Sequence, residues 1–413
     1  MAGAYGPFYA QLCKVLENCT TLPTSLRERL TRLLVEPAKK VGFPQPVVIV
    51  VDALDECEGS WFFLKDILET IGRSGSPFRL FITSRPENEL YRAFDKQFEG
   101  HSNPITSAKI ANTADIQRFI ESQLVPFGIS LDRCIGLTAL AGDLMIWAST
   151  VCRFIQTMAP VSTTDLILAS PAMTDLDELY RVALAAVVPV NNRFLPTQIR
   201  PVLGVIVTAL QPLSAHAIND LLGINYSQEV VRRLGCVLSN SEDEQQPIYV
   251  LHPTFREFIT NRVRSGGALW IDLPECHGEL GRSCVRLMTM ELRFNICGLE
   301  SSFLSNADIE NLEERVMKFI SEGLRYSSLY GFSHLCSGFG ADAEVYGSLK
   351  EFLGGEHLLY WLEVLSLLGK VHVALSTLAG IRKWIGVRSG SSLMFPRLLS
   401  HQYCRTSKTN AHR

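Results

Sequence analysis

The chain has 413 residues, 47% of them hydrophobic and 20% charged, with a formal net charge of −3. That composition is the ordinary globular one and argues against disorder, and the length predicts two to four domains. The near-neutral balance excludes a broad basic face for nucleic acid.

No apolar run reaches the roughly 18 residues needed to cross a bilayer. The best stretches are short: 182–190 is broken by Pro189, and 358–369 carries Glu363. Residues 1–11 have neither a basic nor an apolar leader region, so no signal peptide is expected there. The 11 cysteines are odd in number and contain no C-x-x-C pair, which predicts reduced thiols and a cytoplasmic chain. Cys276, His277 and Cys284 come nearest to a metal cluster, but their spacing matches no zinc pattern.

In chain order, 8–37 predicts helix with a break at Pro23, since Leu26, Leu30, Leu33 and Leu34 recur at helical spacing. The segment Phe43-Pro44-Gln45-Pro46 stops it. Val47 to Val51 is five β-branched residues in a row, which predicts a strand buried on both faces, as in a parallel sheet. Residues 61–71 predict a helix and 78–82 a second strand. Together they make a βαβ unit. Beyond residue 110 the strand signal fades. Thr113 is a plausible N-cap for a helix to Leu124. Residues 137–158 predict a long helix interrupted at Gly142, 176–188 another, and 196–222 a pair broken at Gln211-Pro212. A helix running into strand over 230–238, a strand over 248–251 and a helix over 254–263 suggest a winged helix. Ser265-Gly266-Gly267 reads as a boundary, and 276–385 returns to helix.

The informative stretch for chemistry is 47–56. A buried strand ends in Asp52, with Asp55 and Glu56 just after it. In open parallel sheets ligands sit beyond the carboxyl ends of strands. An aspartate there can hold magnesium against nucleotide phosphates, and a nearby acid can position water. The same two aspartates can equally cap the following helix. Arg85, just past the second strand, can reach the same phosphate site or be an ordinary surface arginine.

The segment Val47-Val-Ile-Val-Val-Asp-Ala-Leu-Asp-Glu-Cys57 resembles the Walker B segment of fungal NACHT proteins, a group also described by nephrocystin-like N-terminal domains. Leu80-Phe-Ile-Thr-Ser-Arg-Pro-Glu87 resembles their sensor-1 strand. Ala141-Gly-Asp-Leu-Met-Ile-Trp-Ala148, Leu176-Asp-Glu-Leu-Tyr180 and Leu251-His-Pro-Thr-Phe-Arg-Glu-Phe258 are similar to motifs of their helical and winged-helix domains. Leu324-Arg-Tyr326 with His334-Leu335, then Trp361-Leu-Glu-Val-Leu-Ser366, resemble the helical segment that follows. No single motif is specific, but the order is.

The resemblance implies α/β plus α: a partial P-loop NTPase sheet core at 1–110, a helical domain at 111–190, a winged helix at 191–265 and a C-terminal helical region at 266–413. It implies ATP or ADP with magnesium as ligands, Asp52 as the magnesium residue, and Asp55 and Glu56 as the acidic pair. Arg85 would be the sensor, and His252 would approach the β-phosphate of ADP. It implies a nucleotide-switched STAND scaffold for fungal self/non-self recognition, with protein partners or self-association, no nucleic acid and no membrane. One departure is large. The phosphate loop G-x-x-x-x-G-K-[ST] occurs nowhere in the 413 residues. The chain is therefore expected to be a fragment, the product of a degenerate gene or one with a mis-called start, with an incomplete site and no ATPase activity of its own. Two alternatives stay open: a working NTPase whose loop lies upstream, or a winged-helix DNA-binding protein using Arg232 and Arg233. A helix-start role for His252 beside Pro253 is the plainer reading of that residue.

Overall fold

The computed structural model describes residues 5–17, 25–43, 45–54, 65–72, 77–85, 113–187, 194–240, 242–266, 270–301, 303–338 and 343–389. These residues are mostly helical, with one small parallel sheet. The chain divides into two compact units, 1–110 and 111–413.

In the first unit, α1 (Gly6–Glu17), α2 (Leu26–Leu30), a π-helical turn (Thr31–Val35) and α3 (Glu36–Val41) precede β1 (Val47–Val51). Residues 65–72 are helical and β2 is Phe78–Ile82. The strands pair in parallel, Val47 opposite Phe78 through Val51 opposite Ile82. Strand side chains alternate between faces. Val47, Ile49, Phe78 and Leu80 turn to a core of Phe8, Val35, Ala38, Ile67 and Ile71. The other face is open: Val48, Val50 and Phe81 are 59%, 63% and 55% exposed. The strand predicted from five β-branched residues is there, but it is covered on one face rather than two.

The second unit opens with α4 (Thr113–Leu124), α5 (Leu131–Ala141), α6 (Met145–Thr157), α7 (Pro160–Leu168) and α8 (Leu176–Val187). The helix expected over 137–158 with its interruption at Gly142 is the pair α5 and α6: Gly142 sits at φ +55°, a conformation that favours glycine and ends α5. Then come α9 (Phe194–Thr208), α10 (Ala215–Leu222) and α11 (Ser227–Arg233). Ser214 caps α10 by accepting from the Ala217 amide, and Gly223 closes it at φ +69°.

The strand expected at 248–251 is only a pair of isolated antiparallel bridges, Ser214 with Pro247 and Leu238 with Val250. Pro247 has no N–H to donate to a ladder. The Tyr249 amide donates to the Ser239 hydroxyl instead of a backbone carbonyl, at 2.9 Å. The chain then enters α12 (Pro253–Thr260) and α13 (Arg262–Ser265), followed by α14 (Leu273–Glu291), α15 (Leu312–Phe319), α16 (Glu322–Ser337), α17 (Ala343–Gly354), α18 (His357–Leu367) and α19 (His372–Ser389).

One continuous apolar cluster draws side chains from Ile116 through Tyr326, including Trp147, Tyr180, Phe255, Phe258 and Leu280. A second, around Met288, Leu324, Phe332, Phe352 and Trp361, fills the C-terminal helices. Helices α14 and α16 feed both clusters and are the two helices through which the cores adjoin.

Candidate functional site

The carboxyl ends of the two strands carry the first constellation. The Thr83 amide donates to the Val51 carbonyl at 3.0 Å, and the Leu54 amide to the Thr83 carbonyl at 2.9 Å. Between them the chain turns through Ala53 at φ +49°, a left-handed conformation uncommon for a residue with a Cβ. The Thr83 hydroxyl holds that turn. It accepts from the Ala53 amide at 2.8 Å and donates to a carboxylate oxygen of Asp52. Asp52 is exposed, and a carboxylate has a second oxygen that can take a cation or a bridging water. Arg85 follows β2 by three residues and is half-buried. Asp52 and Arg85 thus lie just past the ends of neighbouring parallel strands. Asp55 and Glu56 lie outside the described residues. Nothing in the local sequence marks Thr83 for this role; its tie to Asp52 needs the pairing register.

The second constellation is in the other unit. His252 is the N-cap of α12 and its Nδ1 accepts from the Thr254 amide at 3.2 Å. The Thr254 hydroxyl lies 2.8 Å from the same nitrogen, and the Tyr180 hydroxyl lies 2.9 Å from the Thr254 hydroxyl. Since Nδ1 accepts, the neutral ring carries its proton on Nε2. Tyr180 packs edge-on to Phe255 at 5.3 Å. Asp177 receives two 2.7 Å bonds from Arg264, whose carbonyl takes the Arg181 Nε–H at 3.1 Å. The 176–180 and 251–258 motifs therefore meet, and the helix-start role of His252 is observed directly.

Other motif residues serve the core. Trp147 donates to the Met173 carbonyl at 2.7 Å and Trp361 to the Ser328 carbonyl at 2.9 Å, each satisfying a buried indole. Cys276 and Cys284 are buried, and burial pushes their thiols up to about 11 and about 12, away from thiolate chemistry. Among the described residues no three His, Cys, Asp or Glu side chains are grouped to hold a metal ion. Arg232 and Arg233 both bind Glu229, each at 2.6 Å, so α11 offers little charge for a phosphate backbone. No described helix is long and apolar enough to cross a membrane.

Residues 5–85 match the family described as Nephrocystin 3, N-terminal. The match takes in both strands, Asp52, Asp55, Glu56 and Arg85, and leaves His252 outside. Neither a curated protein nor a solved structure matches the chain.

Proposed function

We propose that this chain is part of a nucleotide-switched signalling scaffold of the NACHT kind, acting through protein partners and carrying an incomplete nucleotide site. The observation that carries the reading is the pairing of β1 with β2, which sets Asp52 and Arg85 beyond adjacent strand ends within the stretch that matches Nephrocystin 3, N-terminal. That is where an open parallel sheet takes its ligand. In this reading Asp52 holds magnesium and Arg85 meets a phosphate. Asp55 and Glu56 form the acidic pair. Magnesium would supply charge neutralisation at the phosphates; Thr83 aims the carboxylate that holds it.

The 413 residues lack the amide cradle and lysine of a phosphate loop, so hydrolysis by this chain alone is not expected. Purified protein should show no ATP turnover above the rate of an Asp52→Ala variant in a steady-state phosphate-release assay. Turnover in the parent that Asp52→Ala abolishes would overturn the incomplete-site reading. Titration calorimetry with MgADP on the same two proteins tests the residual site: weak binding lost in Asp52→Ala supports it, and binding unaffected by the substitution removes Asp52 from it.

A further inference from the structure

The seam between the two cores of the second unit holds a chain of polar groups that the proposed function does not use. The Leu210 amide donates to the Tyr326 hydroxyl at 3.1 Å. That hydroxyl lies 2.6 Å from His334 Nε2. His334 Nδ1 lies 2.7 Å from His277 Nδ1, with the rings stacked at 4.9 Å between centroids. His334 is fully buried and His277 half-buried.

The directions of these bonds can be assigned from donors and acceptors alone. A buried hydroxyl needs an acceptor, and His334 Nε2 is the one within reach of Tyr326. His334 then carries its proton on Nδ1 and donates it to His277 Nδ1, leaving His277 protonated on Nε2. One proton fits in the 2.7 Å gap between the two Nδ1 atoms. A metal ion does not, since two nitrogens each about 2.0 Å from zinc in a tetrahedral site lie more than 3 Å apart. A further proton has two places to go: on His277 Nδ1 it would set two N–H groups against each other across the gap, and on His334 Nε2 it would face the Tyr326 O–H and take away its acceptor.

We propose that the His277–His334 pair is an acid-sensitive joint between α14 and α16, closed when both rings are neutral and forced open when the pair takes up a proton. Burial and Arg256 oppose that proton. Arg256 of α12 faces His277 as a cation, Tyr326 and Tyr330 of α16 present only hydroxyls, and the link after α9 contributes the Leu210 amide. Glu275 and Glu279 flank His277 on its own helix; Glu275 binds Arg200. Burial, with the neighbouring His277, holds His334 down at about 3, and burial with Arg256 lowers His277. The position gives the joint its consequence, because α14 and α16 carry both apolar clusters.

The sign follows from linkage. Both histidines have folded values below their ordinary 6.5, so the unfolded chain binds more protons below that pH. The joint's contribution is whole above pH 6.5 and is lost as pH falls from 6.5 toward 3. Urea unfolding of the full chain from pH 7.5 to 4.5 tests this, read by a probe in the second unit such as Trp361 fluorescence. The comparison is with His277→Gln, whose amide oxygen can still accept from His334 Nδ1–H but does not titrate. Below pH 6 the folded-to-unfolded ratio of the parent should fall relative to the variant, by up to tenfold per pH unit for one proton. Parallel curves would overturn the proposal. Should the variant fail to fold, ring titration of the 15N-histidine parent decides instead: both rings must stay neutral together to below the ordinary 6.5. A His277 that protonates near 6.5 while His334 Nδ1 is unmoved would also overturn it.

Discussion

At the scale of single residues, several polar atoms in apolar places are tied together in short relays. The clearest case is the Thr254 hydroxyl, which stands between His252 and Tyr180 at 2.8 and 2.9 Å. Tyr180 is nearly fully buried, and burial raises its hydroxyl above the ordinary value, so it stays a protonated donor at any physiological pH. With the Thr254 proton on His252, Tyr180 must donate to Thr254. Tyr180→Phe removes one neutral hydrogen bond and leaves the ring's packing on Phe255 intact, so about 1 kcal/mol of stability should be lost. Thr254→Val should cost more, about 1–3 kcal/mol, because it removes the bonds of that hydroxyl to both His252 and Tyr180 and leaves Thr150 as the remaining side-chain partner of the buried tyrosine. Thr254→Ser should recover most of it. Urea titrations of the three variants check the order. Equal losses in Thr254→Val and Tyr180→Phe would mean that Tyr180 finds another acceptor.

At the scale of elements, glycine decides how closely two helices approach. A Cβ built on Gly281 of α14 would meet the Leu335 backbone nitrogen of α16 at 2.7 Å, and one on Gly331 would meet the Cys284 Cβ at 2.7 Å. Gly281→Ala must therefore push α14 off α16, and about 2 kcal/mol or more should be lost in overpacking and backbone shift. Gly347, inside α17, has open space around its missing Cβ. Gly347→Ala should stabilise by about 0.5–1 kcal/mol, since alanine loses less backbone entropy in a helix. Thermal unfolding of the pair reads both signs at once; a neutral Gly281→Ala would show that the helix pair can slide.

The elements also show what a sequence can and cannot carry. Residues 47–51, 78–82, 113–124 and 176–187 lie where periodicity and breakers put them, because those signals act within a few residues. The open face of β1 was not legible. Val48 and Val50 read as core, and only the surrounding tertiary structure leaves them exposed. The residues 248–251 look like strand by composition, yet Pro247 and the Ser239 side chain replace the ladder. Thr83 on Asp52 and His277 on His334 join positions 31 and 57 residues apart, and no local pattern announces such pairs. The candidate site was legible at Asp52 and Arg85, where a strand end and a charge coincide in the sequence itself.

At the scale of the whole chain, the two units differ in how much each buries. The second has two apolar clusters running from Ile116 to Ile381. The first rests on a small core around Phe8, Val35 and Ile67, and among its described residues the sheet has two strands. A two-stranded sheet is marginal in water, and among the described residues no further strand pairs with its outer edges, the kind of edge that recruits other strands. Its open face adds Val48, Val50 and Phe81, with Arg79 the one charge among the described residues of that face. The first unit should therefore drive self-association when the full chain is purified. A fragment beginning at Ala111, the boundary between the units, should elute as a sharp monomer in size-exclusion chromatography, while the full chain elutes early or broad. Val50→Lys in the full chain should shift it toward monomer without a loss of helix signal, because that side chain already points to solvent. A sharp monomer from the unmodified full chain, unchanged by truncation or by Val50→Lys, would mean that the open face and edges are not a surface on which copies meet.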